Sequence, residues 1–346
     1  MSIYLSLLFL VILLLLSRKS KKLRWYELLL LTAMILISGL RYGIGTDYLM
    51  YKSFYFDINL PNAAKVEIGF KVLILIANFL FKEKYWLFFT LCSCISIVPI
   101  YLLFKKKSNN PALSFLIFIS LGFYTLSFNM VRQFIALSFC MIAIPEIEHK
   151  NLIKYSFLIL VASFFHITSL IMLPMYLWGN KVGSKKTMTR LFFLEMFAGF
   201  LFNPIFNFAV SNIPQYSMYS NYGGVNAGIG TYLLSFVYLI IILFQISHYD
   251  FFANNKFNKI CLNISVLAVP FIVFSTFNIL FARLIYYFLI PALIPLANIT
   301  NFFKEKKTQK IFNILIICVC IAFFILNILS FNGVYPYRSI IDYNVL

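Results

Sequence analysis

The chain has 346 residues, of which 62% are hydrophobic and 12% are charged. A soluble domain carries about 25% charged residues, so this composition excludes a soluble protein and indicates a polytopic membrane protein. The net charge of +18 lies mostly in short clusters between apolar runs, as in cytoplasmic loops, which argues against nucleic-acid binding. The runs lack barrel-type alternation and recur throughout, which predicts an all-α integral membrane domain over residues 1–346.

The first helix is predicted at residues 2–17, with its N-terminus outside and a basic cluster at 18–24 after it. Residues 25–40 then return outward and deliver Arg41 to the external face. Further lysine clusters mark the inside, and the runs between them predict paired helices at 112–128 and 134–148, 152–165 and 167–179, 191–210 and 231–249, and 260–281 and 284–303, with a last helix at 311–330. The outer turns fall at 129–133, near 166, at 211–230, near 283 and after 331.

Residues 66–81 complicate the count of crossings. The chain must pass from outside at Arg41 to inside at Lys105, yet both 66–81 and 85–104 look helical. We predict that 66–81, which contains Glu67, is a re-entrant or interfacial helix that dips into the outer leaflet under a cover of protein. This gives about twelve transmembrane helices with both termini outside. The alternative is that 66–81 crosses the membrane and that Lys105 and its neighbours violate the positive-inside rule.

Four arginines fall on the predicted outer side, each at a helix end beside aromatic or apolar residues: Arg41, Arg132, Arg283 and Arg338. Arginine keeps its charge when partly buried, and its planar fork binds phosphate oxygens two at a time. One such residue alone could simply extend its charge to the membrane interface. Because acidic groups are too few to pair all four, we expect several of them to bind a diphosphate-type anion.

Three other polar residues on that side are candidates for acid–base chemistry. His166 lies at the tip of a helical pair, where it is either a hydrogen-bonded packing residue or a proton acceptor near neutral pH. Asp47 either caps a helix at 48–58, or binds a sugar hydroxyl or acts as a base, and Glu67 offers the same choice. The sequence has no Asp-x-Asp motif, P-loop or metal-ligand cluster, so we expect no metal and no cofactor, and a donor that is linked to lipid.

Several of these stretches resemble the EpsG family, which sits with the Wzy-type polymerases of bacterial O-antigen, capsule and exopolysaccharide. Residues 41–48 and Tyr51, followed by residues 67–70, resemble its N-terminal pattern. Residues 130–136 resemble its Arg-Gln-x-x-Ala stretch, and residues 162–169 resemble its Phe-His turn. The segments around Arg283 and Arg338 match less specific late motifs. The order is kept over about residues 38–340, although the loop 211–230 has no clear counterpart in the family.

The resemblance implies a metal-independent glycosyltransferase of the bacterial cytoplasmic membrane, with a fold similar to the C-type membrane glycosyltransferases. Such an enzyme polymerises undecaprenyl-diphosphate-linked repeat units on the outer face of the membrane. It transfers the growing chain from its lipid diphosphate to the non-reducing end of a new lipid-linked unit. Its implied partners are these glycan substrates, the lipid bilayer, a chain-length regulator and a flippase.

With this resemblance, Arg132 and Arg283 are expected to bind the donor diphosphate, and Arg41 or Arg338 the acceptor diphosphate. His166 or Asp47 is expected to act as the base. Sugar contacts are expected from the loop 211–230 and from Gln133, Glu67 and Tyr48. Three other functions stay open: a flippase or transporter of lipid-linked oligosaccharide, a membrane O-acyltransferase that modifies a polysaccharide, and a non-catalytic scaffold.

Overall fold

The computed structural model describes residues 1–17, 23–181, 183–212, 228–330 and 333–343. This part of the chain is helical and contains no β-strand, so the predicted all-α fold is confirmed. Of the predicted outer loop 211–230, residues 213–227 lie outside the described residues. The α-helices are α1 (Ser2–Leu16), α2 (Leu23–Gly39), α3 (Tyr48–Phe56), α4 (Ile68–Phe81), α5 (Tyr85–Lys107), α6 (Pro111–Ser120), α7 (Phe123–Leu126), α8 (Val131–Glu148), α9 (Leu152–Ser163), α10 (Met175–Gly179), α11 (Lys185–Asn212), α12 (Ile229–Ser247), α13 (Tyr249–Phe252), α14 (Lys256–Val266), α15 (Val269–Ser275), α16 (Ala282–Leu296) and α17 (Lys306–Ser330).

The chain divides into two compact units. The first contains Met1–Glu146, Asn151–Leu173 and Phe303–Leu346, and the second contains Ile147–Lys150 and Pro174–Phe302. In the first unit α2 packs along α5 and against α1, while α17 packs on α6. In the second unit α14 packs on α16, and α11 packs on α15. The prediction of a single integral domain stays a prediction.

Six helical segments are long and apolar enough to cross a membrane, among the residues that the structure describes. They are Tyr85–Lys107, Lys185–Phe208, Ile229–Ser247, Lys256–Ser275, Ile279–Asn301 and Lys306–Ser330. Shorter apolar helices accompany them, so the protein is a helical membrane protein. The count of about twelve crossings stays a prediction. Helix α4, with 14 residues, reaches only about 21 Å, which is less than the ~30 Å hydrocarbon core of a bilayer.

The predicted helix at 112–128 is interrupted in the structure. Gly122 adopts a left-handed conformation with φ of 82°, which ends the helical run between α6 and α7. Asn327 donates from Nδ2 to the carbonyl oxygen of Ser120 at 2.8 Å and so satisfies the broken end. The interruption leaves residues 127–130 outside any helix, directly before α8, where the Arg132 motif begins.

The core of the first unit is rich in aromatic side chains from α3, α4 and α5. Buried members include Tyr51, Phe70 and Phe88, and their rings pack edge-to-face. Val131 and Ile135, from the first turns of α8, belong to the same cluster. Burying these two residues fixes the start of α8 against α3 and α4, and therefore fixes the position of Arg132.

Candidate active site

One carboxylate joins two of the predicted site residues. Oε1 of Glu67 lies 2.8 Å from Nδ1 of His166, and Oε2 forms an ion pair with the guanidinium of Arg132. The side chains of Glu67 and His166 are each 16% exposed and that of Arg132 is 21% exposed, so the cluster is mostly but not fully covered. The structure therefore brings Arg132 and His166 together through Glu67, which the sequence had assigned to sugar binding.

Gly69 allows this contact. Its N–H donates to the carbonyl oxygen of Phe164 at 2.8 Å, so the start of α4 rests on the turn that carries His166. A Cβ atom at Gly69 would lie 2.7 Å from that oxygen, and any larger residue would push α4 away from the turn. Because α4 can approach so closely, the side chain of Glu67 also accepts a long hydrogen bond, 3.4 Å, from the backbone N–H of Ile167.

The protonation of Glu67 determines what His166 can do. Burial raises the pKa of Glu67, but the hydrogen bond to His166 and the charge of Arg132 lower it to about 2. The carboxylate is therefore ionised at neutral pH and can only accept hydrogen bonds, which assigns the proton of the neutral imidazole to Nδ1. Nε2 then carries a lone pair, and no described residue hydrogen-bonds it. A carboxylate that orients an imidazole in this way prepares it to act as a base.

Glu67 and Tyr51 hold the guanidinium of Arg132, and one of its N–H donors has no partner among the described residues. Its guanidinium pairs with Glu67 and also interacts with the side chain of Tyr51, which is 2% exposed. Its Nε–H is buried and has no hydrogen-bond partner among the described residues. A buried donor without a partner costs about 1–3 kcal/mol unless water or a ligand satisfies it. The geometry therefore leaves Arg132 with an unmet donor that suits an anionic oxygen.

Arg41 has very different surroundings. It is 1% exposed, and its three nitrogens donate to the backbone carbonyl oxygens of Ser38, of Ile44 at 3.3 Å and of Phe128 at 3.1 Å. The guanidinium carbon also lies 4.7 Å from the centre of the Phe89 ring, within cation–π range. In this conformation the fork of Arg41 binds backbone rather than ligand, and it ties the N-terminal motif to the segment that precedes Arg132.

A second contact joins the same two segments. The backbone N–H of Thr46 donates to Oδ1 of Asn129 at 2.9 Å. Gly45 has φ of 95°, and a Cβ atom there would lie 2.5 Å from that same Oδ1, so glycine is required for both conformation and space. Residues 41–46 are thus docked on the irregular stretch before α8, which explains why the sequence needs glycine at this position.

Asp47 occupies the residue before α3, but its side chain makes no capping hydrogen bond to that helix. Its Oδ1 instead accepts from the hydroxyl of Thr46 at 3.0 Å. The helix runs over Tyr48–Phe56, slightly shorter than the predicted 48–58. Asp47 is half-buried, so its carboxylate stays a candidate for contact with substrate.

The remaining predicted residues are spread more widely. The side chain of Arg338 is exposed, and its carbonyl oxygen accepts from the N–H of Tyr42 at 2.9 Å, beside the bridge that pairs Arg41 with Ser339. Arg283 is exposed in the first turn of α16, in the second unit. Its predicted convergence with the first-unit arginines stays a prediction.

Two predicted sugar contacts are buried. Tyr48 is 1% exposed and stacks on Phe89 with ring centres 4.9 Å apart, and Gln133 is 2% exposed. Neither presents its side chain at the surface in this conformation, and their sugar contacts stay predictions. The described residues contain no group of three or more His, Cys, Asp or Glu side chains that could hold a metal ion.

Comparison with known proteins identifies the family. The EpsG family model matches residues 24–339, which include every predicted site residue. The chain belongs to the EpsG family. This is a family of Wzy-type polysaccharide polymerases, so this EpsG-family protein has a function of the polysaccharide-polymerase type and is glycosyltransferase-like. No curated protein and no solved structure matches the chain significantly.

Sequence reasoning missed the roles of Tyr51 and Gly69 and assigned a different role to Glu67. All three lie within the stretches that resemble the family pattern, which was the available signal. Glu67 is also an acidic residue on the side where the arginines were predicted to gather, so a pairing with one of them was a reasonable candidate. The pairing of Glu67 with His166 depends on the contact between Gly69 and Phe164, which are far apart in the sequence.

Proposed function

We propose that this EpsG-family protein polymerises undecaprenyl-diphosphate-linked oligosaccharide repeat units on the outer face of the bacterial cytoplasmic membrane. The cluster of Glu67, Arg132 and His166 is the proposed site of glycosyl transfer. One observation carries the proposal: a single carboxylate holds both an imidazole and a guanidinium, and among the described residues neither Nε2 of His166 nor Nε of Arg132 has a hydrogen-bond partner. A base beside an anion-binding group is what transfer from a lipid diphosphate requires.

The proposed reaction joins two lipid-linked substrates. Nε2 of His166 takes the proton of the attacking sugar hydroxyl while the hydroxyl oxygen bonds to the anomeric carbon of the donor. The bond between that carbon and the diphosphate oxygen breaks, and its electron pair leaves with the lipid diphosphate. Arg132 binds the charge that develops on this leaving group. Glu67 stabilises the imidazolium that forms on His166, as an orienting carboxylate does.

The other predicted residues divide into two groups. We assign Arg41 and Tyr48 to holding the site together, because both are buried against backbone or rings. Arg283 and Arg338, whose side chains are exposed, remain the candidates for the second diphosphate. We favour His166 over Asp47 as the base, because His166 has an orienting carboxylate and shares it with Arg132.

The test is a deletion in the native host, complemented with wild-type or variant genes, with the surface glycan separated by length on a gel. We expect the deletion to abolish the ladder while single repeat units still reach the outer face, and Arg132→Ala and His166→Ala to fail to restore it. His149→Ala, a histidine at an exposed turn, is the matched control and should restore the ladder fully.

Other outcomes identify the competing functions. Loss of single units at the outer face would indicate a flippase. An unchanged ladder with altered acylation would indicate an O-acyltransferase, for which an oriented histidine is also a suitable base. Full complementation by Arg132→Ala, with normal chain length and yield, would refute the role of Arg132 in binding a diphosphate.

A further inference from the structure

A groove of about 600 Å³ opens in the second unit between the start of α11 and the segment that joins α12 to α14. Three lysines line it: Lys185, Lys186 and Lys259, together with one acid, Asp250. All four side chains are exposed, and none of them forms an ion pair among the residues that the structure describes. The groove therefore carries an excess of unneutralised positive charge.

A buried hydroxyl also lies at this groove. Tyr249 lines it and is 4% exposed, and its hydroxyl has no hydrogen-bond partner in the described part of the chain. The backbone closes in on this hydroxyl at Gly183, where a Cβ atom would lie 3.2 Å from it. A buried hydroxyl without a partner is unfavourable unless water or a ligand satisfies it. Lysine side chains, a hydroxyl donor and the N-terminus of the 28-residue helix α11 together favour a phosphate group.

A second groove of about 670 Å³ shares Lys185 and Lys186 and is lined further along α11 by Thr189, Arg190 and Phe193. Phe193 is 59% exposed, and Phe197, on the next turn, is 64% exposed. Beyond Arg190, the exposed rings of Phe193 and Phe197 form an apolar surface along α11. A soluble phosphate would leave this surface uncovered, whereas the acyl chains of a lipid would cover it. The two grooves together match a molecule with an anionic head and an apolar tail.

We propose that this pair of grooves binds the headgroup of an anionic phospholipid. Lys185, Lys186 and Lys259 neutralise the phosphodiester, the hydroxyl of Tyr249 donates a hydrogen bond to it, and the acyl chains lie along α11 past Phe193. Basic pockets at the ends of transmembrane helices bind anionic lipids in this way. The site lies wholly in the second unit and does not depend on the proposed polymerase activity.

The test is native mass spectrometry of the purified full-length protein with short-chain phosphatidylglycerol, short-chain phosphatidylcholine or inorganic phosphate as the probe. We expect retention of phosphatidylglycerol in preference to both other probes. The variant Lys185→Gln/Lys186→Gln should weaken this binding on the order of fivefold for each charge removed. Tyr249→Phe should weaken it about tenfold, because it loses a hydrogen bond to a charged group.

Lys306→Gln/Lys307→Gln is the matched control, because these two exposed lysines also begin a long apolar helix. It should change phosphatidylglycerol binding less than about twofold. An equal loss of binding in both double variants would show that the lipid is attracted by surface charge in general rather than by this site, and would overturn the proposal. Equal retention of inorganic phosphate would show that the grooves bind a soluble anion rather than a lipid, and would also overturn the proposal. Asp250→Asn should strengthen binding about two- to fivefold, and this gain cannot come from misfolding; an unchanged affinity would contradict the proposed electrostatics.

Discussion

Arg41 and Arg132 both lie in stretches that resemble the family pattern, and the sequence assigned both to diphosphate binding. The structure gives them opposite surroundings. The nitrogens of Arg41 bind the carbonyl oxygens of three backbone positions, and the residue is 1% exposed. Arg132 is 21% exposed, pairs with the carboxylate of Glu67 and keeps one donor without a partner in the described part of the chain. The difference teaches that an arginine in a motif can organise a site without contacting its ligand.

The largest expected effect is the loss of folded protein in Arg41→Ala. The substitution leaves three carbonyl oxygens without their donor in a buried place, at about 1–3 kcal/mol each. We expect a strongly reduced yield and a lower Tm in detergent, measured on the purified protein. If Arg41→Ala instead folded with the Tm of wild type and lost only polymerisation, Arg41 would contact substrate and the comparison would fail.

Arg132→Ala should have the opposite profile, with folded protein and little polymer. Removing a group that stabilises developing charge typically lowers a rate about 10²–10³-fold. Arg132→Lys keeps the charge but loses the planar fork, so we expect only partial recovery of the polymerisation rate. The measurement is the rate of polymer formation from lipid-linked units in membranes, with Arg24→Ala, an exposed arginine at the start of α2, as the control. A Tm that fell as far as that of Arg41→Ala would show that Arg132 is structural too.

Glu67 should make the stability of the first unit depend on pH. Its pKa is lowered from 4.5 to about 2 in the folded protein, which corresponds to a stabilisation on the order of 3 kcal/mol. A lowered carboxyl pKa stabilises fully above the unfolded value, so this contribution is present above about pH 4.5 and is lost as the pH falls towards 2. We expect the difference in unfolding free energy between wild type and Glu67→Gln to shrink over that window. A difference that stays constant from pH 6 to 3 would contradict the ion pair with Arg132.

Two substitutions of Glu67 distinguish the hydrogen bond that orients His166 from the negative charge beside the imidazole. Glu67→Gln keeps an oxygen that can accept from Nδ1 of His166, whereas Glu67→Ala removes the acceptor as well. We therefore expect Glu67→Gln to retain more polymerisation activity than Glu67→Ala. The pH profile of the rate should change in both variants, because each alters the charge next to the imidazole. Equal rates and unchanged profiles would indicate that Glu67 only supports the fold.

The sequence predicted most helices and part of the site, for identifiable reasons. Apolar runs predicted α1, α2, α4 and α5 closely, because α1, α2 and α4 end where charged or turn residues begin, while α5 continues through the lysines to Lys107. The break at Gly122 was missed, since it depends on Asn327 from a distant helix. Arg132 and His166 could be recognised as polar residues at helix ends. Their joint partner Glu67 could not, because the contact follows from the packing of Gly69 on Phe164.

The smallest expected effect is that of Tyr51→Phe, which keeps the buried ring and removes the hydroxyl that interacts with Arg132. If Tyr51 helps to hold the guanidinium in place, losing one hydrogen bond should lower the polymerisation rate about two- to tenfold with little change in Tm. Tyr55→Phe is the matched control. Tyr55 lies one turn further along α3 in the same aromatic core, but its hydroxyl donates to the backbone of Lys82, at 2.7 Å, rather than to a site residue. That variant should lose stability and keep its rate per folded molecule, and equal rate losses in the two would show that Tyr51 acts on Arg132 only through the packing of the core.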